Sequence, residues 1–252
     1  MEEKNPIQVA DRLFQALEVL ADRGAMGLME IAVFLGLNKS TAHRVLNSLI
    51  FMGYVRQNAA GKYESTFKVV GLANKIMNKV DIVNIVRPYL RRLMEQTGET
   101  VHFVERDGVD AVYIDKVESF SNTIQMVSQI GSRIPLYCSG VGKAIMAELN
   151  IQEIRDIWER SDVLSKTPYT VTDFNVFLKT LETIRRQGYA LDNEENEEGV
   201  RCVAASFPEY TGKVRYAFSI SAPVSRMDDD RIKELAGYVI DTKKRIMEEI
   251  LP

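Results

Sequence analysis

The stretch that decides the fold reads Leu28-Met29-Glu30-Ile31-Ala32, then Gly36-Leu37-Asn38-Lys39-Ser40-Thr41-Ala42-His43-Arg44-Val45-Leu46, then Leu49-Ile50 and Gly53-Tyr54-Val55. Met29, Ile31, Ala32 and Leu35 predict a short helix. Gly36-Leu37-Asn38 predicts a tight turn joining two helices at a steep angle. Ser40 and Thr41 are expected to cap or open the next helix, which runs to Gly53. Its apolar stripe is Ala42, Val45, Leu46 and Leu49, and its opposite face carries Lys39, Ser40, Thr41, His43, Arg44 and Asn47. An Arg that can fork onto guanine or phosphate, an Asn, and small hydroxyls permitting close approach suit the reading of a DNA groove.

Upstream, Ile7, Val9, Ala10, Leu13, Phe14, Leu17 and Leu20 recur at helical spacing, and Arg23-Gly24 ends that helix. Downstream the period changes to two. Tyr54-Val55-Arg56 and Lys62-Tyr63-Glu64 flank Gln57-Asn58-Ala59-Ala60-Gly61, which predicts a hairpin. Helix, helix, turn, helix, hairpin is a winged helix-turn-helix, with Arg56 and Lys62 of the hairpin placed to grip a phosphate backbone. Charge agrees with this reading. Residues 39–79 hold seven basic groups and one acid, Glu64, whereas the segments on either side are net acidic and the whole chain is -3. Nucleic acid responds to the nearby potential, because salt screens charges beyond about 8–10 Å. A basic block is often only a solvated face, and such helical units also serve as packing or dimerisation modules. The basic, acid-free polar face of the third helix favours duplex DNA.

The chain has 252 residues, enough for two domains, and its 46% apolar and 27% charged residues are those of an ordinary globular protein. No apolar run reaches about 18 residues, so no membrane span is expected. The start, Met1-Glu2-Glu3-Lys4, has no secretory pattern. Cys138 and Cys202 make neither a disulfide framework nor a zinc-finger spacing, and a reducing, cytoplasmic setting follows as the expectation. No metal and no cofactor are expected.

Three segments are expected: a winged helix-turn-helix over 1–66, a linker helix over 67–80, and an α+β domain over 81–252. Phe67, Val70, Leu72, Ala73, Ile76 and Met77 predict the linker helix, and no Pro- or Ser-rich stretch intervenes. Helices are predicted over Ile82–Thr97 (with Pro88 inside), Gly140–Leu149, Ile151–Trp158, Asp173–Gln187 and Asp228–Leu251. Strands are predicted over Thr100–Arg106, Ala111–Val117, Thr123–Val127, Tyr189–Asp192, Val203–Phe207 and Arg215–Ser221. Asp107-Gly108 is a strong hairpin dipeptide. Strands flanked by helices without regular alternation indicate α+β.

In that domain Ser139-Gly140-Val141-Gly142-Lys143 opens a helix, where exposed backbone N–H groups favour an anion. It is not a nucleotide-binding Walker loop, since Tyr137 stands where glycine is required and Ala144 follows Lys143. A glycine turn needed only for packing is the plain alternative. Ser219 and Ser221, two apart on a strand, share one face. They need partners, which a polar ligand or neighbouring backbone can supply. Asp192 opens the acidic run Asp192-Asn193-Glu194-Glu195-Asn196-Glu197-Glu198, a pattern typical of a solvated loop.

The first stretch resembles the DNA-binding domain of IclR-type bacterial transcriptional regulators. Two further blocks carry the resemblance in the family's order. One is Ile134-Pro-Leu-Tyr-Cys-Ser-Gly-Val-Gly-Lys-Ala-Ile-Met-Ala. The other is Gly188-Tyr-Ala-Leu-Asp…Glu198-Gly-Val-Arg-Cys-Val-Ala-Ala, followed by Ala217-Phe-Ser-Ile-Ser-Ala-Pro. The resemblance spans nearly the whole chain. It implies a ligand-responsive regulator, most simply a repressor, on a palindromic double-stranded operator, with a GAF-like or profilin-like C-terminal domain that binds a small organic acid and self-associates as dimer or tetramer. It further implies that Gly140, Val141, Asp192, Cys202, Ser219 and Ser221 line the effector site. Asp192 beside a ligand carboxylate is costly unless it is protonated or accepts a ligand hydroxyl, so a hydroxy, keto or aromatic acid is expected. Tyr137 replaces the His of the family's Pro-Leu-His pattern. Val141 is bulkier than the frequent Ala, which argues against the smallest effectors.

The competing class is a hydrolase using Cys202 or Cys138 with His102. Only two histidines exist, His43 belongs to the basic helix, and no general base stands near either Cys in sequence. A non-enzyme is the expectation.

Overall fold

The computed structural model describes residues 7–77, 81–118 and 128–250, and of residues 8 and 73–77 the backbone alone. The strand expected over Thr123–Val127 and the last linker residues, 78–80, lie outside the described residues. The chain divides into two compact units, 1–80 and 81–252.

In the first unit the order is α1 (Gln8–Arg23), α2 (Leu28–Phe34), α3 (Lys39–Phe51), β1 (Val55–Gln57), β2 (Tyr63–Ser65) and α4 (Phe67–Met77). The hairpin β1–β2 is antiparallel, with Arg56 opposite Glu64. Met26 adds a bridge to Tyr63 through two backbone hydrogen bonds of 2.8 and 2.9 Å, which ties the wing back to the start of α2. Ala16, Val19, Leu20, Ile31, Val45, Leu46, Leu49, Val55 and Tyr63 make one core. The α3 stripe is buried as its period predicts. In α1 and α2 the apolar residues are more numerous than the buried ones: Phe14 and Met29 face solvent, and Ala16 and Val19 are the core positions instead.

The cap of α3 differs from expectation. Asn38, not Ser40 or Thr41, is the N-cap; its Oδ1 accepts from the Thr41 amide at 2.8 Å and from the Ser40 hydroxyl at 2.8 Å. Asn38→Ala is therefore expected to lower the stability of this unit by about 1 kcal/mol. Ser40→Ala should change it by less, which chemical denaturation of the two variants will compare.

In the second unit the order is α5 (Ile82–Thr97), β3 (Thr100–Asp107), β4 (Asp110–Val117), β5 (Arg133–Pro135), α6 (Gly140–Ala147), α7 (Ile151–Arg160), α8 (Phe174–Gln187), β6 (Ala190–Asn193), β7 (Val200–Pro208), β8 (Val214–Pro223) and α9 (Asp229–Ile250). Among the described residues six strands form one antiparallel sheet in the order β5-β4-β3-β8-β7-β6. Alternation along the strands sends Val101, Phe103, Val203, Phe207, Phe218 and Ile220 to one face, against Val86, Leu90 and Leu93 of α5 and Leu235 and Val239 of α9. Phe103 and Phe207 stack there at 5.8 Å, and each fully buried ring contributes about 2–3 kcal/mol. The other face meets α6, α7 and α8 through Val104, Ala111, Ala204 and Ala217. The protein is thus an N-terminal helix-turn-helix unit followed by an α+β unit. The edge strand β5, three residues long, is an element the periodicity does not reveal.

Two glycines decide how closely α6 approaches the sheet. A Cβ on Gly142 would stand 2.3 Å from the Leu136 backbone, and one on Gly140 would touch the Asp192 amide and Ala204 at 3.4 Å. Gly142 is therefore a packing requirement. Its amide is also spoken for, since it donates to the Ser139 hydroxyl at 3.1 Å.

Candidate functional site

Two sites emerge, one in each unit. On α3 the side chains of Lys39, Ser40, His43, Arg44 and Asn47 are exposed and Thr41 is half-buried. The helix carries no acid, and its buried stripe against α1 and α2 fixes which way this face points. Asn47 and His43, one turn apart, approach at 3.4 Å. Ser40 is partly engaged by Asn38, as described above.

The wing is built by Asn58, whose Oδ1 accepts from the Ala60 and Lys62 amides at 3.0 and 3.1 Å while Gly61 takes a positive φ of 74°. Lys62 is exposed at its tip. Arg56 is exposed but its Nε donates to Glu64 at 2.7 Å, so its charge is locally offset; in turn the guanidinium holds the Glu64 carboxyl below its usual range. Lys68, counted within the basic block, donates to the Met52 carbonyl at 2.5 Å and sits 4.6 Å over the Tyr54 ring. It closes the C-terminus of α3, where a cation opposes the helix dipole. Lys39, Arg44 and Lys62 of this surface are exposed to solvent.

In the second unit the six residues expected to line the effector site come together on the α6 side of the sheet. Pairing places Asp192 of β6 opposite Cys202 of β7, and Cys202 opposite Ser221 of β8. Ser219 is one pleat along, and its Oγ lies 3.3 Å from that of Ser221. Gly140 and Val141, in the first turn of α6, are buried above this row. Asp192 is not in a solvated loop as its acidic surroundings suggest. It is the third residue of β6 and is only 4% exposed. Its Oδ1 accepts from the Glu195 amide at 2.8 Å. Burial pushes its carboxyl up to about 6, against the opposing pull of Lys143 and the backbone amides.

Sequence reasoning missed two members of this face. His102 of β3 is buried with Nδ1 3.1 Å from Ser221 Oγ and Nε2 2.5 Å from Ser128 Oγ. Burial, with Lys116 nearby, drops its imidazole to about 3, so the ring is neutral. The signal was present, because position 102 alternates with Val101 and Phe103, which face the other core. Lys143 is the second: fully buried in α6, its ammonium pairs with Glu195, itself 7% exposed. Tyr137 turns away from the serine pair, donating to the Leu164 carbonyl at 2.9 Å and packing on Trp158.

This environment is wrong for thiol catalysis. Burial and the Asp192 carboxylate push the Cys202 thiol well above its ordinary range, and burial pushes Cys138 up to about 11. A nucleophilic Cys needs the opposite shift. No metal-binding group of His, Cys, Asp and Glu occurs among the described residues, and none of their helices is long and apolar enough to cross a membrane.

The Asp192 shift has a sign that can be measured. A carboxyl whose folded value lies above its unfolded one favours folding when protonated, so its contribution to stability falls as pH rises from about 4 to about 6 and is level above. A carboxylate ligand placed beside it would favour proton uptake. Affinity for such a ligand is therefore expected to strengthen as pH falls from 8 towards 6, by at most about tenfold per unit, and to level off below. Asp192→Asn should flatten that slope in calorimetric titrations; an unchanged slope would place the ligand's charge elsewhere.

Both units match known protein families. Residues 9–59 match the family model of the IclR helix-turn-helix domain, and residues 74–248 match that of the bacterial transcriptional regulator IclR C-terminal domain. The chain is 32% identical to the HTH-type transcriptional regulator KdgR of Escherichia coli over 247 residues, covering 97% of this chain and 94% of that protein. It is also 32% identical to the Escherichia coli transcriptional repressor IclR, over 95% of this chain and 89% of that one. Among solved structures, the Thermotoga maritima IclR superposes with a TM-score of 0.65 at 30% identity, covering 96% of this chain and 98% of that one.

Proposed function

This chain belongs to the IclR family of bacterial transcriptional regulators, and from that premise we propose that it is a ligand-responsive repressor of a palindromic operator. Residues 1–66 read the DNA, 67–80 link, and 81–252 bind a small organic acid and self-associate as dimer or tetramer in the cytoplasm. Lys39, Ser40, Thr41, His43, Arg44 and Asn47 enter the major groove; Lys62, and Arg56 with part of its charge held by Glu64, contact the backbone. The effector binds at Gly140, Val141, Asp192, Cys202, Ser219 and Ser221. It favours one arrangement of the C-terminal units over another and so changes the spacing of paired recognition helices. A coupling of about 1–3 kcal/mol suffices for regulation.

The observation that carries the effector half is the row of buried Asp192, Ser221 and Ser219, with the half-buried Cys202 between Asp192 and Ser221, under the first turn of α6. Burying polar groups costs about 1–3 kcal/mol each unless they are hydrogen-bonded, so a polar row is unusual where packing alone is served. Thermal-shift screening against hydroxy, keto and aromatic acids tests it. An acid at a hundredfold excess over Kd stabilises by about 2.7 kcal/mol, a rise of about 5–10 °C for a unit of this size. The double variant Ser219→Ala with Ser221→Ala should lose most of that rise and keep DNA binding. An unaltered titration would put the ligand elsewhere.

A further inference from the structure

His102 has a constraint that the six expected site residues do not express. A neutral imidazole has one N–H and one lone pair. Both of its nitrogens face serine hydroxyls, Ser128 at 2.5 Å and Ser221 at 3.1 Å, and Ser221 in turn meets Ser219 at 3.3 Å. The ring is 3% exposed, so bulk water does not compete for either nitrogen. The Tyr113 ring lies against it at 5.1 Å, and the Lys116 ammonium donates to the Ser128 carbonyl at 3.0 Å, which steadies the far serine. Hydroxyls rotate freely, but the ring cannot donate from both nitrogens while neutral. While Ser221 keeps its proton for this row and not for the Cys202 thiol beside it, the direction of one bond sets the direction of the others.

Two arrangements run unbroken through the row. In the first, Ser128 donates to Nε2, Nδ1–H donates to Ser221, Ser221 donates to Ser219, and the Ser219 proton is left for a ligand. In the second every bond runs the other way: Nε2–H donates to Ser128, Ser221 donates to Nδ1 and accepts from Ser219, and Ser219 offers a ligand only lone pairs. We propose that His102 is the specificity-determining residue of the effector site: a ligand oxygen that can only accept, a keto or carboxylate oxygen at Ser219, fixes the first arrangement with His102 as its Nδ1–H tautomer. This inference rests on the reading of this face as the effector site.

The chain has two histidines, so ring-¹⁵N-histidine labelling of the full chain gives two sets of ring signals, and His43→Gln identifies the other. The ring ¹⁵N shifts separate Nδ1–H, Nε2–H and the cation. His102 is expected neutral from pH 6 to 8. Ser128→Ala removes the Nε2 partner and should leave Nδ1–H; Ser221→Ala removes the Nδ1 partner and should leave Nε2–H. The same tautomer in both folded variants, or a ring that titrates in this range, would overturn the relay. Should either variant fail to fold, Ser128→Cys and Ser221→Cys keep the volume and weaken the bond, with the same opposite shifts expected.

The ligand half uses 2-oxobutanoate and 2-hydroxybutanoate, which share a skeleton, with thermal shift reporting binding on the same samples. The oxo acid is expected to move wild-type His102 to Nδ1–H. Binding without that movement overturns the assignment of the acceptor oxygen to Ser219. If neither acid binds at roughly tens of millimolar, the keto-acid class falls, while opposite tautomers in the two serine variants would still uphold the relay.

Discussion

Arg44→Ala is expected to lower affinity for the operator by about 1–3 kcal/mol for each recognition helix, and so by at least about thirtyfold where two helices engage one palindrome. Arg44 is exposed on the acid-free face of α3, two residues from Ala42 and one from Val45, both of which anchor the helix in its core. Removing the guanidinium therefore leaves the fold intact. The loss should concentrate on particular bases, because an Arg that forks onto guanine reads sequence. Lys39→Ala should instead weaken binding to all duplexes alike and reduce the salt slope by about one. Anisotropy titrations against an operator recovered from random duplexes, at several salt concentrations, separate the two. Equal loss on every sequence for Arg44→Ala would make it a phosphate contact, and unchanged binding would remove α3 from the interface.

The contrast between the two units shows what a sequence displays and what it hides. The α3 face was legible because Ala42, Val45, Leu46 and Leu49 repeat at the helical period, which assigns the remaining residues to solvent. The hairpin at Asp107-Gly108 was legible because that dipeptide supplies the positive φ the turn requires; Gly108 has φ 67°. The shared face of Ser219 and Ser221 followed from the pleat alone. The N-cap of α3 was hidden among four adjacent residues, Asn38 to Thr41, three of which are capping types, and only the geometry selects Asn38. The burial of Asp192 and Glu195 was hidden for a different reason. A run of acids reads as a solvated loop unless a cation is brought to it, and that cation, Lys143, comes from a helix 52 residues away in sequence. The six residues that the family resemblance implies for an effector site converge on one face; alternation with Val101 and Phe103 puts His102 on that face too, but its place opposite Ser219 required the strand pairing.

Lys143 is the group on which the acidic end of the site depends, and its removal is expected to have the larger consequence for the fold. Its side chain is fully buried, its ammonium pairs with Glu195, and the second carboxylate oxygen of Glu195 is buried without a hydrogen-bond partner among the described residues. Lys143→Met keeps the chain length and apolar stem but strands that carboxylate. Breaking a buried pair in this way costs about 3–5 kcal/mol, a large share of the 5–15 kcal/mol that holds a domain folded. Glu195→Gln together with Lys143→Met should recover most of the loss, since the penalty belongs to the uncompensated charge and not to the missing pair. Lys143 further holds the Asp192 carboxyl down, so its loss should carry the pH dependence of ligand affinity to higher pH. Urea denaturation of the single and double variants measures the first effect. A penalty that Glu195→Gln does not relieve would mean that Lys143 acts through its packed stem and that the charge pair contributes nothing to the fold.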